Sequence, residues 1–227
     1  MYDEKLIEKI VAEVINSSVS TNSEAKAETI NSDDKEIKVG VSQRHVHLSQ
    51  ADLETLFGKG YELTVKKVLM GKEFASNEVV TLVGPSLKAI ENVRVLGPVR
   101  KNTQVEISRT DTFVLKVSPP VRPSGDIKGS EKMVLVGPKG SVYLKEGVII
   151  ANRHIHLSPE GALENGVSDG DCVDVRIEGE KPTLFYDVQV RVREDFHSEM
   201  HLDTDDANSA GLKNGNKVKI LAKRKSK

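Results

Sequence analysis

Arg44-His45-Val46-His47-Leu48-Ser49 and, far downstream, Arg153-His154-Ile155-His156-Leu157-Ser158 are one phrase written twice. An apolar run leads into each copy, Val39-Gly40-Val41 into the first and Gly147-Val148-Ile149-Ile150 into the second, so each His-x-His pair is expected at the end of a strand. Alternate side chains on a strand share a face, which sets the two imidazoles side by side, within reach of one metal ion. Four of the six histidines fall in these two phrases. A single His-x-His has an ordinary alternative, a solvated pair on an edge strand. Repetition in the same local frame, with Leu-Ser after each copy, favours ligation.

Composition narrows the classes. With 227 residues and 37% hydrophobic content, the chain has material for one large or two small cores. No apolar run is long enough to cross a bilayer, so no membrane partner is expected. Met1-Tyr2-Asp3-Glu4-Lys5 lacks the basic start of a secretory signal, and a cytoplasmic location is expected. The single cysteine, Cys172, excludes an internal disulfide, and Asp171 and Asp174 beside it argue against a nucleophilic thiolate. A net charge of -1 offers no electrostatic footprint for nucleic acid. Lys223-Arg224-Lys225 with Lys227 reads as a solvated tail.

Residues 3 to 15 have the spacing of an amphipathic helix, with Leu6, Ile7, Ile10, Val11, Val14 and Ile15 on one side. Ser17 to Glu36 is polar and lacks aromatics, the composition of a flexible linker. A short isolated helix is marginal in water, so the apolar stripe of residues 1–20 is expected to dock on another protein, with 21–36 as its tether. From Glu36 onward come short β-like runs separated by Gly, Pro and Asn: Ile37 to Ser42, Glu78 to Val83, Val93 to Leu96, Gln104 to Ser108, Phe113 to Val117, Met133 to Val136, Val148 to Ala151, Cys172 to Ile177, Phe185 to Val192 and Lys217 to Ala222. Such spacing predicts an all-β fold of barrels or sandwiches. Ser49 and Ser158-Pro159 each cap a short helix, the first carrying Leu53, Leu56 and Phe57 to Gly58, the second ending near Gly166.

The repeat extends past the histidines. Val99-Arg100 precedes Glu106 as Val192-Arg193 precedes His201, so Glu106 and His201 are matched candidates for a third ligand. Two related domains result, each presenting one metal surface: His45, His47 and Glu106 on one, His154, His156 and His201 on the other. These nitrogen and oxygen donors suit Zn²⁺, although Co²⁺, Ni²⁺ and Fe²⁺ accept them too. Three protein ligands leave open positions, the arrangement of catalytic sites. His197 is left as a surface histidine. Arg44, Arg100, Arg153 and Arg193 lie beside the ligands, and a guanidinium near an open metal suggests an oxyanion substrate. For Arg44, Arg153 and Arg193 the alternative is partnership with one of the 34 acidic side chains. Arg100, just upstream of Glu106, is the functional candidate.

VSQRHVHLS, VRVLGPVRKNTQVEISRTD, ANRHIHLSPEGA and MHLDTDDAN, in this order and at these separations, resemble the PduL family of phosphate acyltransferases. The likeness covers roughly residues 37 to 222. It implies two β-barrels capped by short helices, the first from 37–43 plus 152–222 and the second from 44–151, with a two-zinc site between them. By motif, one zinc falls to His45, His47 and Glu106, the other to His154, His156 and His201, and Arg100 takes the phosphate. Ser42 and Gln43, with Gln where the family often has Asn, lie where coenzyme A meets the first zinc; Asn208 is a further CoA candidate. Lys66, Lys67 and Lys72 are candidates for the CoA phosphates. The implied reaction exchanges propanoyl-CoA or acetyl-CoA and phosphate for acyl phosphate and CoA. Residues 1 to 36 resemble, in character, the packaging segment of family members held in bacterial microcompartments. A lumenal location, shell or co-encapsulated partners and a homodimer follow from the resemblance. Two other classes compete: a zinc hydrolase of phosphoesters or amides, which needs no CoA, and a non-catalytic microcompartment component in which metal pins the barrels.

Overall fold

The computed structural model describes residues 28–29 and 36–224. The amphipathic helix expected over 3–15 lies outside them. In chain order come β1 (Glu28–Thr29), β2 (Glu36–Ser42), β3 (His45–Ser49), α1 (Gln50–Phe57), β4 (Val65–Val68), β5 (Phe74–Val83), β6 (Ala89–Arg100) and β7 (Gln104–Glu106). Then follow α2 (Arg109–Leu115), β8 (Val121–Arg122), β9 (Glu131–Val136), β10 (Ser141–Ala151), β11 (His154–Leu157) and α3 (Pro159–Glu164). The chain finishes with β12 (Cys172–Ile177), β13 (Thr183–Val192), β14 (Glu199–Asp203), α4 (Thr204–Ser209) and β15 (Lys217–Arg224).

The strands close into two six-strand barrels. One runs β15-β12-β13-β11-β14-β2 and returns to β15; the other runs β5-β6-β3-β7-β10-β9 and returns to β5. Closure leaves no open edge among these strands. Each barrel has its own core, Ile37, Val39, Ile155, Val173, Val190 and Ile220 among the first set and Val46, Leu48, Leu82, Val95, Leu135 and Val148 among the second. Period-two alternation builds them. In β5, Ser76, Glu78, Val80 and Leu82 point inward while their neighbours are more open, and the buried Glu78 is satisfied by Tyr61 and by the Thr64 amide and hydroxyl. Gly97 lets the Phe74 ring lie against the β6 backbone, where a Cβ would collide with it.

The histidine phrases do not end the strands that lead into them. β2 pairs with β14 and β15, whereas β3 pairs with β6 and β7, so the chain changes barrels at Gln43-Arg44. It returns at Asn152-Arg153, between β10 and β11. Val39 therefore fills one core and Val46 the other. His45 and His154 open new strands, because hydrophobic spacing reports that a run is buried and not which core buries it.

Three further expectations change. Phe113 to Val117 is not a strand: α2 forms because Ser108 and Asp111 make a reciprocal capping box, and Phe113 is left 69% exposed. Glu28–Thr29, inside the segment read as linker, pairs antiparallel with β15, whose outer hydrogen-bonding groups it uses. Two residues of the basic tail are engaged: the Arg224 side chain bridges Asp174 and lies over Tyr186, and Lys223 meets Asp171 at 2.8 Å. The Ser49 and Ser158 caps stand as read, each hydroxyl accepting from the amide three residues on.

Candidate active site

Strand register assembles the two ligand sets. β3 lies antiparallel to β7 with His45 opposite Glu106, and β11 lies antiparallel to β14 with His154 opposite His201. Alternation then places His47 and His156 on the faces of their partners. In each set, His45-His47-Glu106 and His154-His156-His201, the donor atoms lie within 4.8 Å of one another. Both sets border one cleft of about 950 Å³ between the barrels.

The ring orientations are prepared in the same way twice. His45 Nδ1 donates to the Gln43 carbonyl at 2.9 Å, and His154 Nδ1 to the Asn152 carbonyl at 2.8 Å. A carbonyl only accepts, so Nδ1 carries the proton and Nε2 is free to bind a metal. His201 instead turns Nε2 to Glu199 at 3.0 Å, which leaves Nδ1. Phe196 stacks on His156 at 4.0 Å, and Met70 Sδ lies 3.2 Å from His156 Nδ1. Among the described residues, the buried His47 Nδ1 has no hydrogen-bond partner of normal geometry, although the Leu96 carbonyl lies near the ring. An orphaned buried nitrogen costs roughly 1–3 kcal/mol, and a metal ion answers it.

The electrostatics keep these donors ready. Burial, then the proximity of His45 and of the Arg100 charge, holds the His47 ring well below its ordinary pKa. Burial, then His201, pushes His154 down to about 4; burial, then His154 and His201, pushes His156 down to about 2. All three are neutral at pH 7. Burial alone would raise the Glu106 carboxyl, but His45, the Ser124 hydroxyl, His154 and Arg100 outweigh it and hold the group ionised. That His154 acts on Glu106 across the barrel boundary shows how near the two sets are.

Glu106 is fixed by a polar network. Gln104 Nε2 donates to its Oε1 at 2.6 Å, Ser124 Oγ donates to the same oxygen at 2.8 Å, and Arg100 Nη1 reaches Ser124 Oγ at 3.3 Å. Arg100 also pairs with Glu73 at 2.6 Å. The arginines of the repeated phrase are matched in their partners: Arg44 binds Asp111 at 2.7 Å and Arg153 approaches Asp206 at 3.6 Å. Asp111 and Asp206 stand equally far beyond Glu106 and His201, each in the first turn of a helix. Arg193 pairs with Asp195 at 2.7 Å. Those helices meet across the barrels, where the Thr110 amide and hydroxyl both donate to Asp205 at 2.7 Å.

Ser42 and Gln43 line the cleft with Lys67 and Lys72. Asn208, on α4, and Lys66 are not among its lining residues, whereas Asn214 is. His197 lies at the cleft border with its side chain 65% exposed. Cys172 is remote, and burial, then Asp187 and Asp171, raises its thiol pKa; Asp174 is engaged by Arg224 instead. Sequence reasoning missed Gln104, Ser124 and Arg191. Arg191 carries no local motif and reaches the cleft because β13 runs beside β11, with Arg191 paired in register with His156.

The profile of the phosphate propanoyltransferase family matches residues 38–213. The chain belongs to that family. A phosphate propanoyltransferase of Lachnoclostridium phytofermentans is 58% identical over 185 residues, 82% of this chain and 87% of the relative. One from Thermotoga maritima is 58% identical over 187 residues, 82% and 89% of the two chains. One from Rhodobacter capsulatus is 42% identical over 221 residues, 97% and 99%. Membership makes the protein an acyltransferase. No helix among the described residues is long and apolar enough to cross a membrane.

Proposed function

We propose that this phosphate propanoyltransferase family member interconverts propanoyl-CoA or acetyl-CoA plus phosphate with the acyl phosphate plus CoA, using two zinc ions. The observation that carries the reading is the pair of three-donor sets, one from each barrel, on a single cleft with arginines at its wall. His45, His47 and Glu106 would hold one ion; His154, His156 and His201 the other. The orphaned His47 nitrogen and the neutral rings fit such occupancy. Bound there, zinc supplies Lewis-acid stabilisation of the oxygen and sulfur charges that develop during acyl transfer.

The chain's own residues do the rest. A phosphate oxygen bonds to the thioester carbonyl carbon, the C–S bond breaks, and the phosphate's proton ends on the CoA thiol. Arg100 takes the phosphate bidentately, exchanging its Glu73 contact for the substrate. The Ser124–Gln104–Glu106 network keeps Glu106 ionised and oriented. Ser42 and Gln43, which line the cleft, would meet the CoA thiol, and Lys67 and Lys72, which line it too, would supply charge for the CoA phosphates. Holding both reactants in one cleft replaces a chance encounter with a positioned one. The same reading includes packaging through residues 1–20 into a microcompartment lumen and assembly as a homodimer; both rest on the family resemblance.

The test is CoA release from propanoyl-CoA and acetyl-CoA, followed with a thiol reagent, on metal-quantified protein before and after chelation. Release that requires both phosphate and zinc is expected. Release without phosphate would replace the reading with a hydrolase.

A further inference from the structure

We propose that Arg191 is a second anion-binding arginine of the cleft, which grips the phosphoryl group of phosphate and acyl phosphate together with Arg100. The proposal rests on the phosphotransacylase reading and names a substrate-contacting residue within it.

Position is the first argument. Arg191 belongs to β13 of one barrel, beside His156, yet its Nη2 donates to the Ser124 carbonyl of the other barrel at 3.2 Å. Ser124 is the residue whose hydroxyl Arg100 Nη1 reaches at 3.3 Å. Two guanidinium groups from different barrels thus converge on one residue, at the wall that also holds Glu106.

Pairing is the second argument. The other arginines lining the cleft each have a carboxylate within ion-pair distance: Asp111 for Arg44, Glu73 for Arg100 and Asp195 for Arg193. Among the described residues, Arg191 has none, and one backbone carbonyl is its recorded hydrogen-bond partner. A guanidinium carries five N–H donors in a planar fork. Holding it partly buried without a counter-charge is unfavourable, and a phosphoryl dianion in the cleft supplies that charge in bidentate geometry.

Charge is the third argument. Arg100 and Arg191 both line the cleft that the two donor sets border, and both reach Ser124. An anion seated between Arg100 and Arg191 converts their mutual repulsion into shared attraction.

A purely structural alternative exists, in which Arg191 only straps the barrels together through Ser124. Arg191→Gln separates the two, since its amide can still donate to the Ser124 carbonyl while the charge is gone. For Arg191→Gln and Arg191→Ala, the KM for phosphate should rise roughly tenfold to a hundredfold while the KM for acyl-CoA stays within about twofold. In the reverse direction the KM for acyl phosphate should rise and that for CoA should not. Guanidinium ion added to Arg191→Ala should restore part of the phosphate affinity. Calorimetric titration of zinc-loaded protein with inorganic phosphate should show the same loss without any turnover. An Arg191→Gln protein that binds phosphate as the wild type does overturns the inference. Wild-type protein that releases CoA without phosphate overturns the phosphotransacylase reading instead, and the titration still decides whether Arg191 binds the anion.

Discussion

His154 stands opposite His201 in the register of the antiparallel β11–β14 pair, with ring centroids 5.2 Å apart. His45 stands opposite Glu106 across β3 and β7 in the same way, so one barrel offers three imidazoles and the other two imidazoles and a carboxylate. Removing one ligand should therefore empty one site and spare the other. His45→Ala or His154→Ala is expected to lower bound zinc from about two ions per chain towards one, with turnover reduced at least a hundredfold and the barrels still folded. Metal analysis with circular dichroism checks this, and full zinc content in both variants would contradict the ligand assignment.

Ser124 holds Glu106 Oε1 at 2.8 Å and lies 3.3 Å from Arg100. Ser124→Ala should weaken zinc at the His45-His47-Glu106 set by roughly tenfold to a hundredfold. Competition with a chromophoric chelator measures it. Unchanged affinity would mean that Gln104 alone orients the carboxylate.

Glu73 pairs with Arg100 at 2.6 Å, and both side chains are substantially exposed, 45% and 31%; under the proposed function the carboxylate would compete with phosphate for that arginine. A pair of that exposure is worth up to about 1 kcal/mol, so Glu73→Gln should lower the KM for phosphate by up to about fivefold. Arg100→Ala, by contrast, should reduce kcat/KM by at least about a hundredfold. A Glu73→Gln enzyme with a raised phosphate KM would show that the carboxylate positions Arg100 rather than occupying it.

In metal-free protein, His47, His154 and His156 stay neutral when folded but bind protons below about pH 6.5 when unfolded. The unfolded state then holds more protons, so stability falls as pH drops from about 6.5 towards 4, by up to about 1.4 kcal/mol per pH unit for each ring. Urea unfolding of the chelated protein at pH 7.5, 6 and 5 should show the midpoint falling. A midpoint flat across that range would contradict neutral rings.

Asp111 caps α2 and binds Arg44 while almost fully buried. Asp111→Ala should cost about 1–3 kcal/mol, from a lost cap and a guanidinium left without its partner. Denaturant unfolding of the zinc-loaded protein reads it, and a loss under about 0.5 kcal/mol would mean that Asp205 holds that helix start by itself.

By itself the sequence determined which side chains gather in the two candidate donor sets. His-x-His on a strand shows one face whatever surrounds it, the Ser49 and Ser158 caps are local chemistry, and the repeated order of phrase, arginine and third ligand marks Glu106 and His201 as equivalents. Tertiary structure decided which barrel each run joins, because Val39 and Val46 are equally apolar and the exchange at Gln43-Arg44 depends on which strands are free to pair. It decided that Phe113 lies on a helix, where the Ser108–Asp111 capping box outweighed β propensity. It also sorted the arginines. Arg44, Arg100, Arg153 and Arg193, prominent beside the motifs, each have a carboxylate partner, while Arg191, with no motif, enters the cleft without one among the described residues. Charge pairing depends on distances between strands far apart in the chain, and spacing along the chain does not encode them.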